Sequence, residues 1–241
     1  DFLELFRQYG CVLQTGGSDQ WGNLTSGTDL IHRVEGVSVH AIGTPLITNS
    51  DGTKFGKSEG NAIWIDAELT SPFSFYQFWL STADADVVER LKIFTFLTRE
   101  EIEEYAGLVE TEPFRRAAQK RLALEVCAVV HGLEATEAVI AATEALFGQG
   151  DLRSLDAATL RSALSELPHV VAEQPVPIVQ ALIDTALVSS ASEARRAIAQ
   201  GGVSVDGEKI ADDTYMVSGT LPGGVSVVRR GKKTLAGVFV A

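Results

Sequence analysis

The feature that most constrains the fold is the change of pattern along the 241 residues. Apolar residues that recur with a helical period predict helices, whereas short apolar runs between turn residues predict strands. Residues 1–66 are rich in glycine and mix short apolar runs with polar loops, residues 67–167 carry helical signals, and residues 177–241 combine two short helix patterns with hairpin signals. The pattern predicts a chain of α/β and α+β domains, with the proline-containing residues 168–176 as a linker.

In the first region, Val12 with Leu13 and Leu46 with Ile47 read as two short buried strands. Each is followed by a loop rich in Gly, Ser, Asp and Asn, and residues 22–33 can form a helix. This arrangement is typical of the trailing part of an α/β domain. Ligands of such domains bind beyond the carboxyl ends of the strands.

The helical region is marked by its capping residues. Ser71 followed by Pro72 predicts a helix start, and Thr98 with Glu101 forms a capping-box pattern. Pro113 is predicted to open a long helix that continues through residue 129. Four basic residues lie near its start: Arg115, Arg116, Lys120 and Arg121. They could face RNA, although a solvated helix face is the favoured interpretation.

Residues 177–241 contain a small α/β module. One short helix is expected from Ile178, and Ser192 is predicted to cap a second helix over residues 193–200. Asp206 and Gly207 form a strong hairpin-turn signal. Residues 225–228 and 235–240 read as strands on either side of a basic turn, RRGKK, at residues 229–233.

The net charge of −12 argues against a nucleic-acid partner, but its distribution does not. Residues 177–241 hold seven Lys and Arg against six Asp and Glu, and four of the seven lie in the RRGKK turn. Such a cluster is either an electrostatic footprint for a polyanion or a solvated turn, and the charge pattern leaves both open.

The cysteines and the apolar runs limit the class of protein. Cys11 and Cys127 have no CxxC partner, so neither a disulfide framework nor a metal site is predicted, and a reducing cytoplasm fits best. No apolar run has the length of a membrane span, and no signal peptide is predicted. The chain begins at Asp1 without Met, which suggests a fragment of a longer protein.

The stretch DGTKFGKSEG, residues 51–60, has the composition of a phosphate-binding loop. A P-loop requires four residues between its first glycine and Gly-Lys-Ser, and it opens a helix. Here three residues separate Gly52 from Gly56, and Lys57 and Ser58 run into a glycine-containing turn. Spacing and context therefore exclude a P-loop.

The same stretch resembles a different phosphate-handling motif. KFGKS, residues 54–58, resembles the KMSKS signature of class I aminoacyl-tRNA synthetases in the form carried by bacterial tyrosyl-tRNA synthetases. GGSDQWGN, residues 16–23, is similar to a second signature of that family. SEARRAIAQGGVSVDG, residues 192–207, looks like its C-terminal S4 RNA-binding domain. The three motifs follow the order of the family.

The resemblance implies the trailing part of a Rossmann-like catalytic domain over residues 1–66. A helical domain of the anticodon-binding type follows over residues 67–167, and an S4-like domain over residues 177–241. The implied activity is tyrosine–tRNA ligase, with tyrosine, ATP with Mg²⁺ and tRNA(Tyr) as substrates, no tightly bound cofactor, and a homodimer as the complete enzyme. The HIGH signature is absent from these 241 residues, so the chain alone is expected to be inactive.

Amino-acid activation needs positioning and charge neutralisation more than covalent chemistry. Lys54 and Lys57 on a glycine-hinged loop can close onto the phosphates of ATP, and Ser58 can donate a hydrogen bond. Gly17, with its neighbouring glycine, allows a ligand to approach the backbone.

Further roles follow from the resemblance alone. Asp19 is expected to hold the ATP ribose, Gln20 to lie at the tyrosine carboxyl group and the α-phosphate, and Gln14 to lie behind the residues that contact tyrosine. The basic residues expected to contact RNA phosphates are Arg195, Arg196, Arg229, Arg230, Lys232 and Lys233.

Two alternatives remain. A non-catalytic RNA-binding protein built on the S4 module has no obvious use for GGSDQWGN or KFGKS. A tryptophanyl-tRNA synthetase-like ligase would lack the S4 tail and the GGSDQ form.

Overall fold

The computed structural model describes residues 1–56, 63–148, 150–231 and 234–240. The chain forms two compact units, Asp1–Ala62 and Ile63–Ala241, each with its own buried apolar residues. No helix in the described ranges is both long and apolar enough to cross a bilayer. The predicted site residues Lys57, Ser58, Lys232 and Lys233 lie outside the described residues.

The first unit is a βαβ arrangement. Helix α1 (Phe2–Tyr9) precedes strand β1 (Leu13–Gly17), and a 3-10 turn (Ser18–Gln20) leads into helix α2 (Trp21–Glu35), which returns the chain to strand β2 (His40–Thr44). The two strands are parallel, as a helical crossover requires. The predicted helix at 22–33 is confirmed, and it extends by one or two residues at each end.

The strand predicted at Leu46 and Ile47 is wrong, because β2 ends at Thr44. The backbone oxygen of Ile47 instead accepts a hydrogen bond from Phe55 N at 3.0 Å, and Thr48 forms an isolated bridge with Lys54. These bonds fold residues 47–55 back on themselves, so the apolar pair enters a tight loop rather than the parallel sheet.

The second unit begins with a group of helices: α3 (Pro72–Leu80), α4 (Asp84–Phe94), α5 (Arg99–Thr111), α6 (Ala117–His131), α7 (Leu133–Phe147) and α8 (Ala157–Ser165). Both predicted N-caps are confirmed: the Ser71 hydroxyl accepts from Ser74 N at 3.2 Å, and Thr98 and Glu101 make both bonds of a capping box. The aromatic face of α3 is buried and belongs to the core: Phe73, Phe75, Tyr76 and Trp79.

The start predicted for the long helix at Pro113 is wrong. Residues Pro113–Arg115 form a 3-10 turn, Arg116 has φ 50°, and α6 begins at Ala117. The Arg116 guanidinium donates to the backbone oxygens of Leu80 at 2.6 Å and Thr82 at 3.1 Å. This anchor holds Arg116 in the left-handed region, which separates the turn from the helix.

The described residues of the terminal segment form strands β3 (His169–Ala172), β4 (Val176–Pro177), β5 (Val203–Val205), β6 (Glu208–Lys209), β7 (Met216–Val217), β8 (Val225–Arg230) and β9 (Thr234–Val240), with helices α9 (Ile178–Asp184) and α10 (Ala191–Ala199). In that part of the chain the main sheet has the order β3-β9-β8-β5-β6. Only its β3–β9 pair is parallel. The two helices pack on the sheet around Ile178, Leu182 and Ile198.

Two local predictions in this segment need correction. Residues 168–176 were expected to be a linker, but β3 lies within them and pairs with β9. Ser190, not Ser192, caps α10, because its hydroxyl accepts from Glu193 N at 3.3 Å.

The hairpin turn predicted at Asp206 and Gly207 is confirmed. The two residues have φ angles of 52° and 87°, as a two-residue turn of the I′ type requires. The Asp206 carboxylate accepts from Val227 N at 2.7 Å and from the Ser226 hydroxyl at 2.9 Å, so the turn is tied to β8.

Candidate functional site

The GGSDQ segment lies at the carboxyl end of β1, where the strand passes through the 3-10 turn into α2. Asp19 and Gln20 therefore stand at the edge where ligands of parallel α/β sheets bind. The Thr44 hydroxyl donates to Gly16 O at 3.3 Å and joins the ends of the two strands. The position agrees with the expectation from sequence.

Gly17 lies at a crowded point. A Cβ atom there would lie 2.8 Å from Asp19 Oδ1 and 3.0 Å from a methyl carbon of Leu46. Real Cβ contacts at the first of these distances are almost never observed. Glycine at this position therefore leaves room for the Asp19 carboxylate, which adds a second reason to the one predicted from sequence.

The structure brings the two sequence motifs of this unit together. Lys54 Nζ lies 3.3 Å from Asp19 Oδ2, although 35 residues separate them. Both side chains are partly exposed, at 45% for Lys54 and 38% for Asp19, so the pair contributes little to stability. The ammonium group could also donate to phosphate oxygens, and the carboxylate could accept from hydroxyl groups.

The loop that carries Lys54 is held by its own hydrogen bonds. Asn49 N donates to Thr53 O at 2.8 Å, and Asp51 Oδ1 accepts from the Thr53 hydroxyl at 2.6 Å and from Thr53 N at 2.9 Å. The hydroxyl bond, more than the amide bond, lowers the pKa of Asp51. Gly52 has φ 83°, which the turn requires. These contacts define the direction from which Lys54 reaches Asp19.

Gln14 and Gln20 line one cavity of about 560 Å³ between α1, β1 and α2. Gln20 Oε1 accepts from Asn23 Nδ2 at 2.8 Å. Gln14 Oε1 is buried and accepts no hydrogen bond from the described residues. Gly16, Ser26 and other residues complete the lining, which is largely polar. The cavity therefore suits a ligand with hydrogen-bonding groups.

The four described residues among those predicted to bind RNA lie in different surroundings. Arg195 and Arg196 are exposed on α10, and Arg195 pairs with Asp213 at 3.1 Å. Arg230 is half-buried and donates to Leu187 O at 2.6 Å and to Glu193 at 2.7 Å. Of the two arginine pairs, the one on α10 is the more exposed to solvent.

The Glu193 carboxylate, in the first turn of α10, accepts hydrogen bonds from Ser189 and from Arg230 of β8. It accepts from Ser189 N at 2.9 Å, from the Ser189 hydroxyl at 2.8 Å and from Arg230. These bonds, with the Ser189 amide first, lower the pKa of Glu193 to about 2. Arg230 therefore helps to hold α10 on the sheet.

Arg229 links the sheet to the helices. Its guanidinium donates to Leu146 O, in the last turn of α7, at 2.5 Å. A second arginine links the helices to the terminal segment in the opposite direction: Arg161 of α8 donates to Gly223 O at 2.6 Å. The guanidinium carbon of Arg161 lies 5.0 Å from the Phe239 ring centroid. Neither contact is predictable from a local sequence pattern, because the partners lie 62 or more residues apart.

Residues 1–148 match the family model described as tRNA synthetases class I (W and Y). The chain belongs to this class I tRNA synthetase family. Residues 159–237 match a second model, described as Tyrosine--tRNA ligase SYY-like C-terminal domain.

Individual relatives of this synthetase chain carry the tyrosine name. It is 67% identical over 242 residues to a tyrosine--tRNA ligase of Leifsonia xyli and 58% identical over 243 residues to that of Streptomyces avermitilis, with the whole chain aligned in both cases. It spans 55% and 58% of those two proteins, a little more than half their length.

A solved structure gives a similar result. The C-terminally truncated mitochondrial tyrosyl-tRNA synthetase of Aspergillus nidulans superposes with a TM-score of 0.50 at 34% identity. The match covers 58% of this synthetase chain and 40% of that one.

Proposed function

We propose that this protein is a tyrosine–tRNA ligase, which activates tyrosine with ATP and transfers it to tRNA(Tyr). The observation that carries the proposal is the 3.3 Å contact between Asp19 of GGSDQ and Lys54 of KFGKS. It brings an acceptor for ribose hydroxyls and a cation for phosphates to one strand edge. The names of the relatives support tyrosine as the amino acid.

In this reaction an oxygen of the tyrosine carboxylate attacks the α-phosphorus of ATP, and the bond to pyrophosphate breaks. ATP enters as its Mg²⁺ complex, so the metal ion is part of the substrate. Asp19 would accept hydrogen bonds from the ribose and fix the nucleotide, while Lys54 would leave Asp19 and neutralise charge on the departing pyrophosphate. Such a preorganised charge contributes more to the transition state than to substrate binding. Lys57 and Ser58 are proposed to complete the loop.

We also propose that residues 67–167 are a helical domain of the anticodon-binding type and that residues 177–241 are an S4-like RNA-binding domain. Arg195 and Arg196 are the described candidates for phosphate contacts, with Lys232 and Lys233 as further candidates. Replacing both arginines of α10 with alanine should reduce the slope of log affinity for tRNA against log salt by roughly one to two units. A cytoplasmic homodimer is the expected assembly.

The activity is tested by pyrophosphate exchange with the full-length gene product, using tyrosine and tryptophan in parallel. We expect exchange with tyrosine, and we expect Lys54→Ala to slow it by about 10²–10³-fold with little change in KM for tyrosine. Lys92→Ala is the matched control, because Lys92 also makes a surface salt bridge, at 3.2 Å to Glu89. Preference for tryptophan would reject the proposed substrate. Equal rates for the two lysine variants would reject the role of Lys54.

A further inference from the structure

Helix α2 contains a glycine where a helix interior disfavours one. Gly27 lies in the middle of Trp21–Glu35, at a position where alanine would be the better helix former. A Cβ atom at Gly27 would lie 3.0 Å from Gln14 Oε1 and 3.1 Å from Cδ1 of Phe2. Nine in ten real Cβ contacts are longer than this. The missing side chain therefore makes room for two neighbours.

The two neighbours differ in how they could respond to a larger residue. Phe2 is 5% exposed, and its ring is packed in the core of the unit. Gln14 places the end of a flexible side chain against Gly27, on the wall of the cavity of about 560 Å³. A methyl group at residue 27 would therefore displace the Gln14 carboxamide more readily than the ring.

The Gln14 carboxamide has an unused acceptor. Its Oε1 is buried without a hydrogen bond from the described residues, whereas buried polar atoms in folded proteins almost always have a partner. The cavity that it lines also contains Gln20 and Asn23, which bond to each other. The open acceptor is thus available to a donor on a molecule in the cavity.

We infer that Gly27 is a positioning residue for the amino-acid site: by having no side chain, it keeps the Gln14 amide oxygen directed at a hydrogen-bond donor of the bound amino acid. The inference rests on the proposed function, since that function supplies an amino acid with N–H and O–H donors. Gly27 itself touches no substrate in this scheme and acts through Gln14.

The test measures pyrophosphate exchange of the full-length gene product with Gly27→Ala, Gln14→Ala and the double variant. We expect each single change to raise KM for tyrosine about tenfold, as for the loss of one hydrogen bond to a ligand donor. KM for ATP should change less than about twofold. The double variant should be no worse than Gln14→Ala, because both changes remove the same contact.

The control is Gly107→Ala. Gly107 is also a helix-interior glycine, in α5, but a Cβ atom there would meet nothing within 4 Å. Its kinetic constants should equal those of wild type. Thermal unfolding of Gly27→Ala and Gly107→Ala shows whether each variant keeps the fold.

Three results would overturn the inference while leaving the proposed function intact: an unchanged KM for tyrosine in Gly27→Ala, an equal rise in both KM values with a fall in kcat, or additive effects in the double variant. If the wild-type protein exchanged no pyrophosphate with tyrosine, the proposed function and this inference would fail together.

Discussion

Arg229 offers a direct test of whether the basic strand β8 serves the fold or binds RNA. Its guanidinium donates at 2.5 Å to Leu146 O, near the C-terminus of α7. This oxygen is one of the last four carbonyls of the helix, which lack partners within the helix. Arg229→Ala would remove this donor from the backbone oxygen of Leu146, a fully buried residue.

The expected cost follows from the kind of bond. A hydrogen bond from a charged donor contributes about 1.5–3 kcal/mol. A cation at a solvent-exposed helix C-terminus contributes about 0.3–1 kcal/mol at low salt. Because Arg229 is only half-buried, we expect a loss of about 2 kcal/mol in the free energy of unfolding. For a unit of this size that corresponds to a fall in Tm of about 4–8 °C.

The assay is urea and thermal unfolding by far-UV circular dichroism, with hydrogen exchange of residues 225–240 to locate the loss. Arg196→Ala is the matched control, because this exposed arginine on α10 should change the free energy of unfolding by less than about 0.5 kcal/mol. If Arg229→Ala were as stable as Arg196→Ala but lowered the salt slope of tRNA binding by about one unit, Arg229 would be a phosphate ligand and the structural role would be refuted.

The remaining predictions concern pH, thiol reactivity and packing. Hydrogen bonds from Ser189 lower the pKa of Glu193 to about 2, below its value in the unfolded chain. The stability that the ionised Glu193 contributes is therefore present above the unfolded pKa and is lost as pH falls towards 2. The difference in Tm between wild type and Glu193→Gln should shrink between about pH 4.5 and pH 2, and a constant difference would contradict the lowered pKa of Glu193. Burial raises the pKa of the Cys127 thiol, so iodoacetamide should label the more accessible Cys11 first at pH 8. Peptide mass spectrometry measures the two labelling rates, and faster labelling of Cys127 would argue against its buried position. Gly237→Ala should destabilise the sheet by about 1–3 kcal/mol in urea unfolding, because the added methyl group would lie 3.1 Å from a side-chain carbon of α8, and an unchanged midpoint would show that the helix yields.

Features that depend on a few consecutive residues could be predicted from sequence. The caps at Ser71 and Thr98 need only a backbone N–H three residues away, and the turn at Asp206 and Gly207 needs only two residues that tolerate positive φ. The motifs GGSDQ and KFGKS are also local, so the residues of the candidate site can be proposed from the sequence alone. Their spacing alone could not show that Asp19 and Lys54 are in contact.

Features that depend on distant partners were missed or misplaced. A strand requires a neighbour in register, and the parallel pairing with β1 selects His40–Thr44 rather than the more apolar pair at residues 46 and 47. The same holds for β3, which becomes a strand because β9 lies beside it. No pattern within residues 168–176 predicts that β9 pairs with them.

By itself, the sequence determined the helix caps at Ser71 and Thr98, the turn at Asp206 and Gly207, and the chemical identity of the candidate site residues, because each depends only on side chains that are neighbours in sequence. Only the tertiary structure decided which charges meet. Arg229 is predicted from its basic neighbours in sequence to contact RNA phosphates, and in the folded chain its guanidinium donates to the end of a helix 83 residues earlier. A charged side chain binds the best acceptor within reach after folding, and that acceptor is set by packing rather than by sequence neighbours.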